Sequence, residues 1–273
     1  MKLLHFTDIH LTTPGQTIAG RDPNTNFQRA LDHALDLHSD AEAVFITGDL
    51  SDWGEEPDYR RLDEIIAKVS IPVHLGIGNH DDRATLLGVF PHLADENGFV
   101  QKVIPLSDGH AVVIDTWGPD THAGHFCETR AAWLSAQLSQ LEGPVLIFMH
   151  HNPVPVGIDP VDQIMLMDAD RLRQTLRPFK DRIAHIFHGH CHLHLNGTFE
   201  GIPFSAPRGT NHAGWPNFGE TAKLSSSDLT EAYSVILTDG PDTMIHMVEF
   251  GYQGVIRTEG SPNYADWDRK MVR

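Results

Sequence analysis

The sequence predicts an α/β fold, and two observations carry that prediction. Short apolar runs rich in β-branched and aromatic residues recur at 3–6, 43–47, 72–77, 110–115, 144–149 and 182–187, each the length of a buried strand. Between them stand stretches whose apolar residues fall three and four apart, the spacing of one helix face. Strand and helix in alternation make a sheet with helices packed on it.

In chain order, LLHF at 3–6 opens as a strand, and Phe27, Ala30, Leu31, Ala34, Leu35 and Leu37 then form one helical face. AVFIT at 43–47 is the second strand. Pro57 suits a first helical turn, and Tyr59, Leu62, Ile65, Ile66 and Val69 continue behind it. PVHLGI at 72–77 and HAVVID at 110–115 follow as strands. Trp133, Leu134, Leu138 and Leu141 mark a helix that Thr129 can cap. PVLIFM at 144–149 precedes a helix through Leu172, Leu176 and Phe179 after Asp168, and RIAHIF at 182–187 closes the alternation. From about residue 193 the chain is mostly β: HLNGTFE, IPFSA, AYSVILTD and TMIHMVEF are strands joined by turns. The polar stretch 211–231, punctuated by Gly, Pro and Ser, is a long loop. No linker-like shift in composition divides the chain, so 1–273 is expected to be a single domain.

A chain of 273 residues is long enough to bury a sizeable core. Its 20 Lys and Arg against 37 Asp and Glu leave a net charge of −17, which repels duplex nucleic acid and an anionic membrane face. No apolar run reaches membrane-spanning length. The opening MKLLHFTDIH places His5 and Asp8 where a signal peptide needs unbroken apolar sequence. A cytoplasmic protein without a membrane partner is expected. Cys127 and Cys191 form neither a disulfide framework nor a C-x-x-C pair. Histidine, at 19 residues, outnumbers phenylalanine at 13, an excess that points to metal binding.

The ligand-type residues cluster just beyond the C-terminal ends of the predicted strands: Asp8 and His10, Gly48-Asp49, Gly78-Asn79-His80-Asp81, His150-His151, and His188-Gly189-His190-Cys191-His192. Open α/β sheets bind ligands at that end, so five separate segments deliver side chains to one place. Oxygen and imidazole donors together suit two divalent or trivalent ions of Mn, Fe, Zn or Co. A two-metal site needs six or seven ligands with one carboxylate shared, which this inventory supplies. The alternation in Asp8-x-His10 and His190-x-His192 is expected to point each pair to one side of an extended segment. No G-x-S-x-G elbow or P-loop offers a competing chemistry.

These ordered blocks resemble the calcineurin-like metallophosphoesterase superfamily, and within it the bacterial class III cyclic nucleotide phosphodiesterases and the dinuclear-metal glycerophosphodiesterases. The resemblance spans residues 1–192 and extends more weakly to Gly209-Thr210-Asn211-His212. It implies a four-layer α/β/β/α sandwich of two mixed sheets. It also implies that Asp8, His10, Asp49 and His192 hold one metal, and that Asp49, Asn79, His150 and His190 hold the other. His80 would stabilise the attacked phosphoryl group or protonate the leaving oxygen, oriented by Asp81, with Asn79, His80 and His212 near the substrate. The implied activity is hydrolysis of a small phosphodiester, a 3′,5′-cyclic nucleotide such as cAMP or a glycerophosphodiester, by a metal-bridging hydroxide. The alternative is a scaffold that keeps the fold without hydrolysis. By the same analogy the protein is a homo-oligomer, a dimer or larger. The pocket wall is expected from 11–26, 116–128 and 211–231, with Trp215 and Phe218 lining or gating it, making a subunit contact, or simply packing. His5, His74 and His185 read as core residues and His151 as structural. His188 and His194 read as neighbours of the site or surface residues, and Trp133 as the core face of its helix.

Overall fold

The computed structural model describes residues 1–219 and 221–257. Residues 258–273 of the 1–273 expectation and Glu220 of the 211–231 loop lie outside the described residues. The first half runs β1 (Lys2–Phe6), α1 (Pro23–Leu37), β2 (Ala43–Ile46), α2 (Glu56–Ile66), β3 (Val73–Leu75), α3 (Arg83–Val89), β4 (Lys102–Leu106), β5 (Gly109–Val113) and α4 (Glu128–Gln140). The second runs β6 (Val145–Phe148), α5 (Asp159–Asp162), α6 (Ala169–Leu176), β7 (Ile183–Phe187), β8 (Leu195–Phe199), β9 (Ile202–Ala206), β10 (Ala213–Gly214), β11 (Ser226–Ser227), β12 (Ala232–Asp239) and β13 (Asp242–Glu249).

Two mixed sheets face each other. One is ordered β13-β12-β1-β2-β3 and the other β4-β5-β6-β7-β9-β8. In the first, β1, β2 and β3 are parallel, β12 runs antiparallel to β1, and β13 antiparallel to β12; in the second, β5, β6, β7 and β9 are parallel and the edge strands β4 and β8 antiparallel to their neighbours. Leu3, Phe45 and Ile236 of one sheet pack on Val113, Phe148 and Phe187 of the other, and the Phe45 and Phe148 rings stack at 3.9 Å. Their neighbours in sequence point the other way. Leu4, Phe6, Val44 and Ile46 pack outward with Phe27, Ala30, Tyr59 and Leu62 from the helices. Val112, Ile147 and Ile186 pack outward against Leu134, Leu138, Leu172 and Leu176. Both faces of each sheet are thus buried, which is why these strands read as continuous apolar runs, and the result is the four-layer α/β/β/α sandwich.

Some local details differ from the sequence expectation. Thr129 lies inside α4, whose flanking residue is Cys127, and Asp168 precedes α6 without a side-chain cap bond. Three elements outside the 211–231 loop were not predicted. Helix α3 is seven residues long, too short for a periodicity, and depends on the Asp82 side chain accepting from Thr85 N at 2.8 Å. Helix α5, four residues long, is a single turn. Strand β4 contains Pro105, tolerable because it lies on a sheet edge. The 211–231 loop carries the short antiparallel pair β10 and β11.

His5 and His185 lie in the core as expected, bonded to Thr47 Oγ1 at 2.9 Å and Ser205 Oγ at 3.0 Å. His188 is also buried, whereas His194 is exposed and His74 packs half-buried on Phe45. Burial pulls His5 down to about 3 and His185 and His188 to about 4. Unfolding lets all three take up protons near pH 6.5. Their contribution to stability is therefore complete above pH 6.5 and lost as pH falls toward 4, at up to about 1.4 kcal/mol per pH unit for each group. Urea midpoints of the metal-free protein are expected to drop steeply from pH 6.5 to 4.5, and a flat profile there would contradict this account.

Candidate metal centre

The parallel strands of both sheets end together, and the candidate ligands stand on the turns that follow them. Asp8 and His10 follow β1, Asp49 follows β2, Asn79 follows β3, His150 follows β6, and His190 and His192 follow β7. The segments are not extended, contrary to the expected alternation. Asp8, His10, Asp49, His190 and His192 have φ of 53°, 48°, 49°, 69° and 52°, the left-handed region. Each such turn costs an ordinary residue about 1–2 kcal/mol. The turns are held by one another: His10 N donates to the Asp49 carbonyl at 2.8 Å, Gly189 N to the His150 carbonyl at 3.0 Å, and His190 N to Asp8 Oδ1 at 3.0 Å.

Two groups of donors result. In the first, His10 Nδ1 donates to Asp52 Oδ1 at 3.0 Å and His192 Nδ1 to the His212 carbonyl at 3.0 Å. Both Nε2 atoms then face each other at 3.2 Å, with Asp8 Oδ1 3.6 Å from His192 and Asp49 Oδ2 3.7 Å from His10. In the second, His150 Nδ1 donates to the Thr47 carbonyl at 3.1 Å, leaving Nε2 at 3.3 Å from Asp49 Oδ2 and 3.0 Å from Asn79 Oδ1. His190 Nδ1 lies 2.7 Å from the same Asn79 oxygen, and its Nε2 is buried with no partner. Lone pairs of neutral imidazoles converge on carboxylate and amide oxygens in both groups. Such a donor set fits a cation in each, with the hydrogen bonds on the far ring nitrogens of His10, His192 and His150 fixing their tautomers. Asp49 belongs to both groups.

In the metal-free chain, protons serve that role. Burial pulls His150 down, but Asp49, Asp8 and Asp81 outweigh it and raise it to about 9; His10 is raised by Asp52, Asp49 and Asp8 against its own burial. Burial would raise Asp49, yet His150, His80 and His10 hold it well below the usual carboxylate range. His190 and His192 are lowered, chiefly by burial.

Gly78 packs directly on the shared carboxylate. A β-carbon there would land on the Asp49 side chain and backbone nitrogen, and 2.8 Å from the His150 ring. Gly78→Ala is expected to cost about 1–3 kcal/mol in thermal melting and to reduce metal uptake. Gly76→Ala, whose β-carbon meets nothing nearer than 3.4 Å, is expected to do neither.

His80 sits at the mouth, with its backbone N on Asp49 Oδ1 at 2.9 Å and its Nδ1 on the Asp52 carbonyl at 2.9 Å. Asp81 does not orient it, contrary to expectation. Both Asp81 oxygens are taken up by Leu50 N, Ser51 N, Gly78 N and Tyr59 OH, so it clamps the two turns that carry Asp49 and Asn79. Burial, then the Asp49 charge, pushes Asp81 up to about 6. Asp52 orients both His80 and His10, and sequence reasoning missed it although it lies three residues after Asp49. The His212 ring lies tilted against that of His192, with centroids 4.1 Å apart; burial lowers its pKa, and its Nδ1 accepts from Asn211 Nδ2 at 3.1 Å. His151, as expected, is committed to the fold, with Thr116 Oγ1 at 2.8 Å and the His122 carbonyl at 3.2 Å.

A cavity of about 580 Å³ opens over these groups. Ile18, His122 and the 212–226 stretch each contribute to its wall, as the three predicted segments require, and Trp215 lines it while Phe218 lies outside beside Gly157. A further part of the lining lies outside the three predicted segments. It is an apolar cluster of Ile158, Val161, Cys191 and Leu193, so Cys191 faces the cavity through that wall. Its short α5 segment has no periodicity to reveal it.

The calcineurin-like phosphoesterase family model matches residues 1–194. The chain is 32% identical to a Rhodopseudomonas palustris protein named probable cyclic nucleotide phosphodiesterase, over 93% of this chain and 94% of that one. It is 28% identical to a Mycobacterium tuberculosis protein named cAMP/cGMP dual specificity phosphodiesterase, over 96% and 84%. It is also 28% identical to an Enterobacter lignolyticus protein named glycerophosphodiester phosphodiesterase GpdQ, over 70% and 71%. Among solved structures, a Danio rerio dimetal phosphatase shares the fold at a TM-score of 0.65 and 15% identity, covering 89% of this chain and 98% of that one. Among the described residues no helix is long and apolar enough to cross a membrane.

Proposed function

The chain belongs to the calcineurin-like phosphoesterase family, and from that premise we propose that it is a phosphodiesterase that uses two metal ions to hydrolyse small phosphodiesters. The observation that carries the reading is the pair of groups of converging oxygen and imidazole-nitrogen atoms that share Asp49. Asp8, His10, Asp49 and His192 would hold one cation, and Asp49, Asn79, His150 and His190 the other. Bound there, the two ions supply Lewis-acid polarisation of the phosphoryl oxygens and lower the pKa of water near phosphorus.

The chain's own residues do the rest. Asp52 fixes the His10 tautomer and, through its carbonyl, the His80 ring. With its Nδ1–H so committed, His80 presents Nε2 to the cavity, and as the imidazolium it would give the Nε2 proton to the departing alkoxide, leaving the neutral Nδ1–H ring. His212, neutral and accepting at Nδ1, offers an Nε2–H to a phosphoryl oxygen. Asp81 acts at a distance, by holding the turns of Asp49 and Asn79 together.

The apolar wall of Ile158, Val161 and Leu193, which lines the cavity together with Trp215, favours a 3′,5′-cyclic nucleotide, whose base it would cover, over a glycerophosphodiester. A scaffold role is disfavoured because a protein that binds no metal has no use for two sets of converging lone pairs. The test is a panel of cAMP, glycerophosphocholine, glycerophosphoethanolamine and a phosphate monoester, with metal-stripped protein reloaded with Mn²⁺. Metal-dependent hydrolysis is expected, fastest on cAMP and slowest on the monoester. A preparation inert toward all four and toward bis(p-nitrophenyl) phosphate with every first-row metal would contradict the proposal.

A further inference from the structure

We infer that His122 is a positioning residue for one of the two cations, because its ring holds the Asn79 carboxamide with the oxygen turned toward His150 and His190. The inference rests on the metal reading given above. A carboxamide has two ends of similar shape and opposite chemistry: the oxygen can ligate a cation, whereas the NH₂ group repels one. Nothing within the asparagine itself selects between them.

The surroundings do select. Asn79 Nδ2 lies 2.9 Å from His122 Nδ1, while Oδ1 lies 3.0 Å from His150 Nε2 and 2.7 Å from His190 Nδ1. An amide nitrogen only donates, so His122 Nδ1 accepts. Turning the amide over would replace that hydrogen bond with two acceptors face to face, at a cost of about 1–3 kcal/mol if either is left unsatisfied.

His122 is exposed, and its loop is anchored from below. The His122 carbonyl accepts from His151 Nε2 at 3.2 Å, and His151 Nδ1 accepts in turn from Thr116 Oγ1 at 2.8 Å. On the next turn, Gly124 N donates to the Met165 carbonyl at 3.1 Å and Met167 N to the Gly124 carbonyl at 2.8 Å. A continuous path therefore runs from Thr116, just beyond β5, through buried His151 to the Asn79 amide. This also explains why His151, beside a ligand and rich in donor capacity, is used for the loop.

The test is calorimetric titration of the metal-free, full-length protein with Mn²⁺. The wild type is expected to take up two ions, and His122→Ala to bind one of them about 10- to 100-fold more weakly with the other unchanged. His122→Asn places an acceptor near the position of Nδ1 and is expected to restore uptake. His122→Gln places one near Nε2 and is not. The double variant Asn79→Ala with His122→Ala should bind no more weakly than Asn79→Ala alone. Unchanged affinities in His122→Ala, or rescue by Gln and not Asn, would overturn the inference and assign the ring to substrate contact instead. A wild type that takes up no Mn²⁺ would contradict the metal reading itself, and that is seen before any variant is made.

Discussion

Asp49→Asn is expected to abolish hydrolysis of bis(p-nitrophenyl) phosphate, by about 10³-fold or more, equivalent to roughly 4 kcal/mol of lost transition-state stabilisation. The substitution conserves shape. An asparagine oxygen can still accept from His80 N, as Asp49 Oδ1 does at 2.9 Å, so the turn at the mouth is retained. What disappears is the negative charge between His10 and His150, whose Nε2 atoms lie 3.7 and 3.3 Å from Asp49 Oδ2. A neutral amide can face only one of two cations with its oxygen, so bound manganese should fall from two ions per chain to one or fewer. Far-ultraviolet circular dichroism should match the wild type. A variant that keeps two ions and most of its activity would show that the carboxylate is not shared.

His80→Asn is expected to separate proton delivery from metal binding. Positioned acid catalysis contributes about 10²- to 10⁴-fold, so kcat on cAMP should fall within that range while bound metal and KM stay near wild type. The effect should depend on the leaving group. A ribose alkoxide needs a proton to depart, whereas p-nitrophenolate hardly does, so the loss on bis(p-nitrophenyl) phosphate should be much smaller. Equal losses on the two substrates would mean that His80 acts on the phosphoryl oxygens rather than on the leaving atom. Asp81→Asn should behave differently from both, lowering stability and metal uptake together, because its carboxylate gathers backbone donors from the turns of Leu50, Ser51 and Gly78.

Much of this arrangement was legible from residue order alone, for physical reasons. Strands buried on both faces announce themselves as apolar runs, and β1, β2, β3, β6 and β7 all did. Because parallel strands share a direction, the residues following them collect at one end, and sequence position alone groups Asp8, Asp49, Asn79, His150 and His190. The means of convergence was not legible. Alternation suggested extended segments for Asp8-x-His10 and His190-x-His192, but the turns are left-handed at all four positions, a conformation that tertiary bonding imposes and local sequence does not announce.

Residues acting through others were harder still. Asp52 and His122 carry no motif of their own, and their roles appear only when the partner of each ring nitrogen and each amide end is known. Asp81 was misread for the complementary reason. Adjacency to His80 in sequence suggested contact, while the turn directs its side chain inward to Tyr59 OH and the backbone. The apolar wall at 158–164 escaped notice because one helical turn, α5, is too short to show a periodic face.

Anomalous diffraction at the manganese edge, from crystals of the wild type grown with Mn²⁺, tests the central claim most directly. Two peaks are predicted about 3.5–4 Å apart, one among Asp8, His10 and His192, the other among Asn79, His150 and His190, with an Asp49 oxygen in contact with both. No peak at this end of the sheets, or a single ion that Asp49 does not touch, would contradict the account.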